Sequence, residues 1–135
     1  MIYLDTSALT KMLNPENESD VLTAWMAAQA DGGKELTTSV IGRIEIARVA
    51  ARSSDPDDVP QAQFLGSRLV TVPLTTTIAR AAESVGPAHL RSLDAIHLAS
   101  AVSIRELVSA FVSYDKRLLA AARAEGLPVV SPGAE

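Results

Sequence analysis

Four acidic residues, Asp5, Glu45, Asp94 and Asp115, stand where burial or the end of a strand is expected. Asp5 follows Ile2-Tyr3-Leu4 and Asp115 follows Phe111-Val112-Ser113-Tyr114, while Glu45 and Asp94 interrupt apolar helical stretches. A carboxylate in such surroundings is costly unless a cation meets it. Brought together, the four would suit a hard divalent ion, Mg2+ or Mn2+, which takes oxygen ligands and retains several waters. An ion held this way can polarise a phosphoryl oxygen and turn bound water into a hydroxide-like nucleophile.

Each acid also has a plainer reading when taken alone. Asp5 and Asp115 are placed to cap helices, a position aspartate favours. Asp94 lies in the first turn of its helix, where the macrodipole favours an acid. Glu45 shares a helix face with Arg48, and a solvated pair at that spacing contributes only tenths of a kcal/mol. As a set they read differently. Two acids at strand ends and two within apolar helices match one carboxylate cluster better than four surface accidents. Asp94 is the most telling, because 93–102 is apolar almost all round, as buried helices are.

The elements that would position these acids alternate along the chain. Short strands are expected at 2–4, 35–38 and 69–72, the most strand-like run at 107–114, and a last short strand at 129–130. Helices are expected at about 6–13, 18–30, 40–52, 58–68, 75–85, 92–105 and 115–125. Asn14-Pro15-Glu16-Asn17 reads as a turn, 53–60 as a polar proline-punctuated loop, and Gly86-Pro87 as a break. Strand–helix alternation predicts an α/β fold: a parallel sheet with helices on both faces, whose ligands bind beyond the carboxyl ends of the strands. Asp5 and Asp115 both follow a strand. On the second helix, Val21, Leu22, Trp25 and Ala28 form a stripe that serves either the core or an interface.

Bulk properties narrow the function. A chain of 135 residues is most simply a single domain, residues 1–135, with 131–135 as a frayed tail. With no cysteine, disulfides, thiolate metal sites and cysteine nucleophiles are excluded. No signal peptide is apparent and no apolar run approaches the roughly 18 residues of a membrane span, so a cytoplasmic protein with no membrane partner is expected. The formal net charge of −4 argues against a broad phosphate-tracking surface, though not against an enzyme that meets phosphate through a metal. Two histidines make a histidine-based zinc site improbable, and His97 reads as a hydrogen-bonded core residue. No Gly-x-Ser-x-Gly elbow supports serine-hydrolase chemistry.

Four segments together resemble a known family. Leu4-Asp5-Thr6-Ser7-Ala8-Leu9 resembles the opening motif of PIN-domain ribonucleases, and Ser39-Val40-Ile41-Gly42-Arg43-Ile44-Glu45 their second. Leu93-Asp94-Ala95-Ile96-His97-Leu98-Ala99 closely matches the third, and Val112-Ser113-Tyr114-Asp115-Lys116-Arg117-Leu118 looks like the fourth. The segments fall in family order and spacing across nearly the whole chain. In length and in the absence of other domains the chain looks most like the VapC toxins of bacterial toxin–antitoxin pairs.

The resemblance implies a three-layer fold with a five-stranded parallel sheet, a homodimer, and an antitoxin that occludes the site. It implies a Mg2+-dependent (or Mn2+-dependent) endoribonuclease that cuts RNA by water attack on a phosphodiester. Carried over by motif, Asp5 and Asp94 would be metal ligands, with Glu45 and Asp115 completing the site directly or through water. Thr6, Ser7 and Ser113 would orient waters or carboxylates, and Arg91, Lys116 and Arg117 would receive RNA phosphates at the rim. The alternative is a non-catalytic PIN-like module that binds RNA or protein. Haloacid-dehalogenase chemistry is disfavoured because Ser7 stands where its second acid belongs, and a phospho-receiver because 69–73 contains no aspartate.

Overall fold

A computed structural model describes residues 1–14 and 16–134. Five short strands, β1 Ile2–Leu4, β2 Leu36–Ser39, β3 Leu69–Val72, β4 Ala110–Val112 and β5 Val129–Val130, form one sheet in the order β3-β2-β1-β4-β5. Every pairing is parallel, as the alternation of elements predicts. Among the described residues seven α-helices cover the sheet: α1 Thr6–Leu13, α2 Ser19–Asp31, α3 Val40–Arg52, α4 Asp58–Ser67, α5 Thr76–Ala82, α6 Ser92–Ser103 and α7 Lys116–Ala124. None is long and apolar enough to cross a membrane.

The period-two geometry of a strand divides the core into two layers. Ile2 and Leu4 of β1 point to one face with Ala110 and Val112 of β4, and pack there against Leu9, Leu22, Met26 and Ile46. Tyr3 and Phe111, one residue out of phase, point to the other face and meet Leu98, Leu118 and Ala122. Full burial of an aliphatic side chain of this size contributes roughly 1.5–3 kcal/mol. Both faces of the central strands are therefore apolar, and polar groups concentrate at the strand ends.

Two expectations need correction. The run 107–114 is not all strand: Arg105–Leu107 is a 3-10 turn with Leu107 exposed, and β4 spans only Ala110–Val112. Its neighbours set that limit, since β1 has three residues and β5 two to pair with. On α2 the buried positions are Leu22 and Met26, with Trp25 partly buried and Val21 and Ala28 exposed, so the apolar stripe is rotated from the one expected. At the start of 131–135, Ser131 Oγ donates to Ser113 O at 2.6 Å and the Tyr114 hydroxyl to Pro132 O at 2.7 Å. Pro15 of the expected turn and Glu135 of the expected tail lie outside the described residues.

Candidate active site

The strand order places the chain's reversal between β1 and β4, so the crevice beyond their carboxyl ends is the natural ligand site of such a sheet. Asp5 leaves β1 there and Asp115 follows β4. Asp94 enters from the first turn of α6 and Glu45 from the body of α3. All four line one cavity of about 410 Å³, with Thr6, Ser7, Arg91, Ser92 and Leu93 completing the wall. Lys116 and Arg117 do not line it. They border a neighbouring cleft with Pro87 and His89.

Asp5 is 2% exposed, caps α1 and lines the cavity. Its Oδ1 accepts from Ala8 N at 2.9 Å and Ser7 Oγ at 2.7 Å, and its Oδ2 from Ser113 Oγ at 2.6 Å. The two serines also lock the strand ends together. Ser7 Oγ accepts the Tyr114 N–H at 2.9 Å, and Ser113 Oγ the Asp115 N–H at 3.0 Å. Among the described residues no cation forms an ion pair with Asp5. Burial pushes its carboxyl above the ordinary range, and the bonds from Ser113, Ser7 and Ala8 offset only part of that.

Glu45 is held from below. Thr6 Oγ1 donates a short hydrogen bond to its Oε1, and His97 Nε2 lies 3.5 Å from the same oxygen. Arg48 is not among its partners in the described residues. Burial would raise this carboxyl, but the neighbouring His97 imidazole, the bond from Thr6 and the nearby Arg91 charge outweigh it and hold the group below its usual range.

Asp94 and Asp115 share a cation. Arg91 Nε reaches Asp94 Oδ2 at 3.3 Å, and its Nη2 reaches Asp115 Oδ2 at 3.2 Å. Asp115 Oδ1 meanwhile caps α7 through the N–H groups of Arg117 and Leu118. Burial, then the charge of Asp115, still lift the Asp94 carboxyl above its ordinary range against the pull of Arg91.

Among the described residues, no three acidic or histidine side chains converge tightly enough to ligate one ion by themselves. The donor chemistry nonetheless fits a hard cation. All four groups are carboxylates, one is buried without a counter-charge, and Mg2+ is commonly held by one or two carboxylates with water filling its remaining positions. The cavity is also strongly acidic, with four carboxylates against the single guanidinium of Arg91. A polyanion meets repulsion here until a further positive charge enters.

A family model for the PIN domain matches residues 2–128. The chain belongs to the PIN-domain family. It is 48% identical over 134 residues to ribonuclease VapC47 of Mycobacterium tuberculosis, covering 99% of this chain and 98% of that one, which puts this PIN domain among the VapC proteins. Two solved structures share the fold. VapC20 of Mycobacterium tuberculosis, a sarcin–ricin loop cleaving toxin, superposes with a TM-score of 0.71 at 17% identity, covering 98% of this chain and 100% of its own. VapBC2 of Rickettsia felis, solved bound to a DNA fragment from its promoter, gives 0.73 at 16% identity, covering 98% and 99%.

The acids of this PIN domain were all legible as candidates; several of their partners were not. His97 is buried and hydrogen-bonded as expected of a core histidine, yet its ring contacts Thr6 and approaches Glu45. Its place three residues after Asp94 on one helix was the available signal. Ser92 and Leu93 of the cavity wall carried none beyond adjacency to Asp94.

Proposed function

We propose that this PIN domain is a Mg2+- or Mn2+-dependent endoribonuclease, the toxin of a toxin–antitoxin pair, which cleaves an RNA phosphodiester by attack of water. The observation that carries the reading is the gathering of Asp5, Glu45, Asp94 and Asp115 around one cavity at the carboxyl ends of β1 and β4. The ribonuclease name of its 48% identical relative supports the same chemistry.

In this reading Asp5 and Asp94 would hold the ion, with Glu45 and Asp115 completing the set directly or through water. The ion, when bound, supplies charge to the phosphoryl oxygen and acidity to a water. The chain supplies position. Ser7 and Ser113 keep both oxygens of Asp5 in place, and Thr6 fixes one oxygen of Glu45. Carboxylate oxygens facing the cavity can accept the proton of the attacking water. Arg91, free to swing at the exposed rim, can exchange its carboxylates for a phosphate of the RNA. Lys116 and Arg117, with His89 in the adjoining cleft, would receive phosphates further along the strand. An antitoxin covering the cavity would silence the enzyme, a partnership supported by the VapBC2 structure of the same fold. A homodimer remains part of the proposal.

The test is cleavage of structured RNA by the purified protein. Activity with Mg2+ or Mn2+ that disappears in EDTA and returns on adding the ion is expected. Equal cleavage in EDTA would overturn the metal-dependent reading.

A further inference from the structure

Beneath the cavity a chain of hydrogen bonds runs from the buried face of the sheet to Glu45. The Tyr3 hydroxyl lies 2.8 Å from His97 Nδ1, and His97 Nε2 lies 2.9 Å from Thr6 Oγ1, which donates to Glu45 Oε1. The direction of each bond follows from donor arithmetic. Thr6 has one hydroxyl hydrogen, and an ionised carboxylate can only accept, so that hydrogen goes to Glu45. The His97–Thr6 contact then needs its hydrogen from Nε2. In the neutral ring Nδ1 then carries the lone pair, and the Tyr3 hydroxyl 2.8 Å away donates to it. One tautomer of the neutral ring satisfies both ends, with hydrogen on Nε2 and a lone pair on Nδ1.

The surroundings hold this ring in place. His97 is 1% exposed and Tyr3 fully buried. Tyr3 meets the imidazole edge-on at a centroid distance of 5.8 Å and stacks on Phe111 at 5.3 Å. Space for the ring is left by Gly42, one helical turn before Glu45 on α3. A Cβ there would lie 3.1 Å from His97 Cε1 and 2.3 Å from Thr38 Oγ1. The same face of α3 thus admits the imidazole and presents the carboxylate it steadies.

We propose that His97, acting through Thr6, is a positioning residue for Glu45. It locks Oε1 inward and fixes the carboxylate's rotation, so that Oε2 is the oxygen offered to the cavity. A glutamate on an open helix face has three side-chain torsions to order when it engages a ligand. Here that ordering is complete before any ligand arrives. The inference rests on the reading of the cavity as a metal-dependent nuclease site, but its own tests do not all pass through catalysis.

Two substitutions separate positioning from packing. His97→Gln can keep a donor near the Nε2 position, facing Thr6. His97→Asn keeps a polar group near Tyr3 and loses the reach to Thr6. The full-length variants would be compared by circular dichroism, by Mn2+ binding read from the electron paramagnetic resonance of the free ion, and by RNA cleavage. His97→Asn is expected to fold, bind Mn2+ about tenfold more weakly and lose kcat by a similar factor with little change in KM, while His97→Gln stays within about threefold of wild type. Equal losses in both variants would reduce His97 to packing, and unchanged Mn2+ binding and kcat in His97→Asn would overturn the proposal.

A long-range proton–nitrogen spectrum of the wild-type imidazole provides the check that needs no variant. Nδ1 should appear as the unprotonated nitrogen, and hydrogen on Nδ1 would sink the bond order derived above. Should the wild type cut no RNA at all, the nuclease reading fails, while the tautomer and Mn2+ measurements still decide the role of His97.

Discussion

Two pairs of acids share the cavity and are held by opposite means. Asp5 and Glu45 are fixed by neutral donors: the hydroxyls of Ser7, Ser113 and Thr6, and the imidazole of His97. Asp94 and Asp115 are spanned by the guanidinium of Arg91. Neutral donors orient a carboxylate without supplying a counter-charge, so burial still raises Asp5 despite three hydrogen bonds. A guanidinium compensates the charge, yet Arg91 is largely exposed and can leave. Asp5 is therefore held in place with its charge unmet, whereas the donors around Glu45 already favour its ionised form. The second pair is already part-neutralised and open to exchange.

The comparison breaks most visibly at Asp94, the acid proposed to ligate metal from the exchangeable pair. Asp94→Asn removes a ligand charge and almost no volume, so RNA cleavage should fall at least about a thousandfold while circular dichroism stays native. Full activity in that variant would remove Asp94 from the mechanism and leave the rigid pair as the whole site.

A smaller effect sharpens the claim that Asp5 lacks its counter-charge. In EDTA at neutral pH, Asp5→Asn should melt higher than wild type, by about 4 °C for each kcal/mol of relieved charge burial in a domain of this size. The sign in pH follows from linkage. Because the folded Asp5 carboxyl is raised, its favourable contribution is complete below its unfolded value of about 4 and is lost as pH rises through the folded value. The Asn variant's advantage should therefore vanish in acid and grow toward neutral pH. With Mn2+ present the order should reverse, since an ion that binds only the folded state stabilises it. An Asn variant that melts lower than wild type in EDTA at neutral pH would contradict the uncompensated charge.

The smallest effect belongs to the exchangeable pair. Arg91→Ala should shift stability by less than about 0.5 kcal/mol, because exposed ion pairs contribute little. It should tighten Mn2+ binding while weakening RNA binding, as one competing cation and one phosphate contact disappear together. A titration calorimeter and a filter-binding assay measure the two sides. Weaker Mn2+ binding in Arg91→Ala would mean that the arginine assists the ion instead of standing in its place.

Much of this was legible in the linear chain because short-range physics writes it there. Val40–Arg52 begins after Ser39, whose side chain accepts from Ile41 N, and Asp5 and Asp115 cap α1 and α7 as their types suggest. Errors arose where a neighbour in space overrules local preference. The apolar run after Leu107 is shortened by the length of β1, and the exposed side of α2 depends on what lies beneath it. Lys116 and Arg117 stand beside Asp115 in sequence but turn with α7 toward another cleft, whereas Arg91, more than twenty residues away, reaches the Asp115 carboxylate.

The amino-acid order by itself determined the residue types of the site, their attachment to strand ends and helix starts, and the parallel α/β class. The first two depend on contacts within a few residues, and the class follows from the alternation of strands and helices along the chain. Which side chains would answer those acids was decided only in three dimensions. Tyr3, Thr6, Glu45 and His97 form one hydrogen-bonded line across as many as 94 residues of chain, and such a line exists only once β1, α3 and α6 have packed. Sequence spacing does not encode hydrogen-bond distance between separate elements; the order of strands in the sheet does.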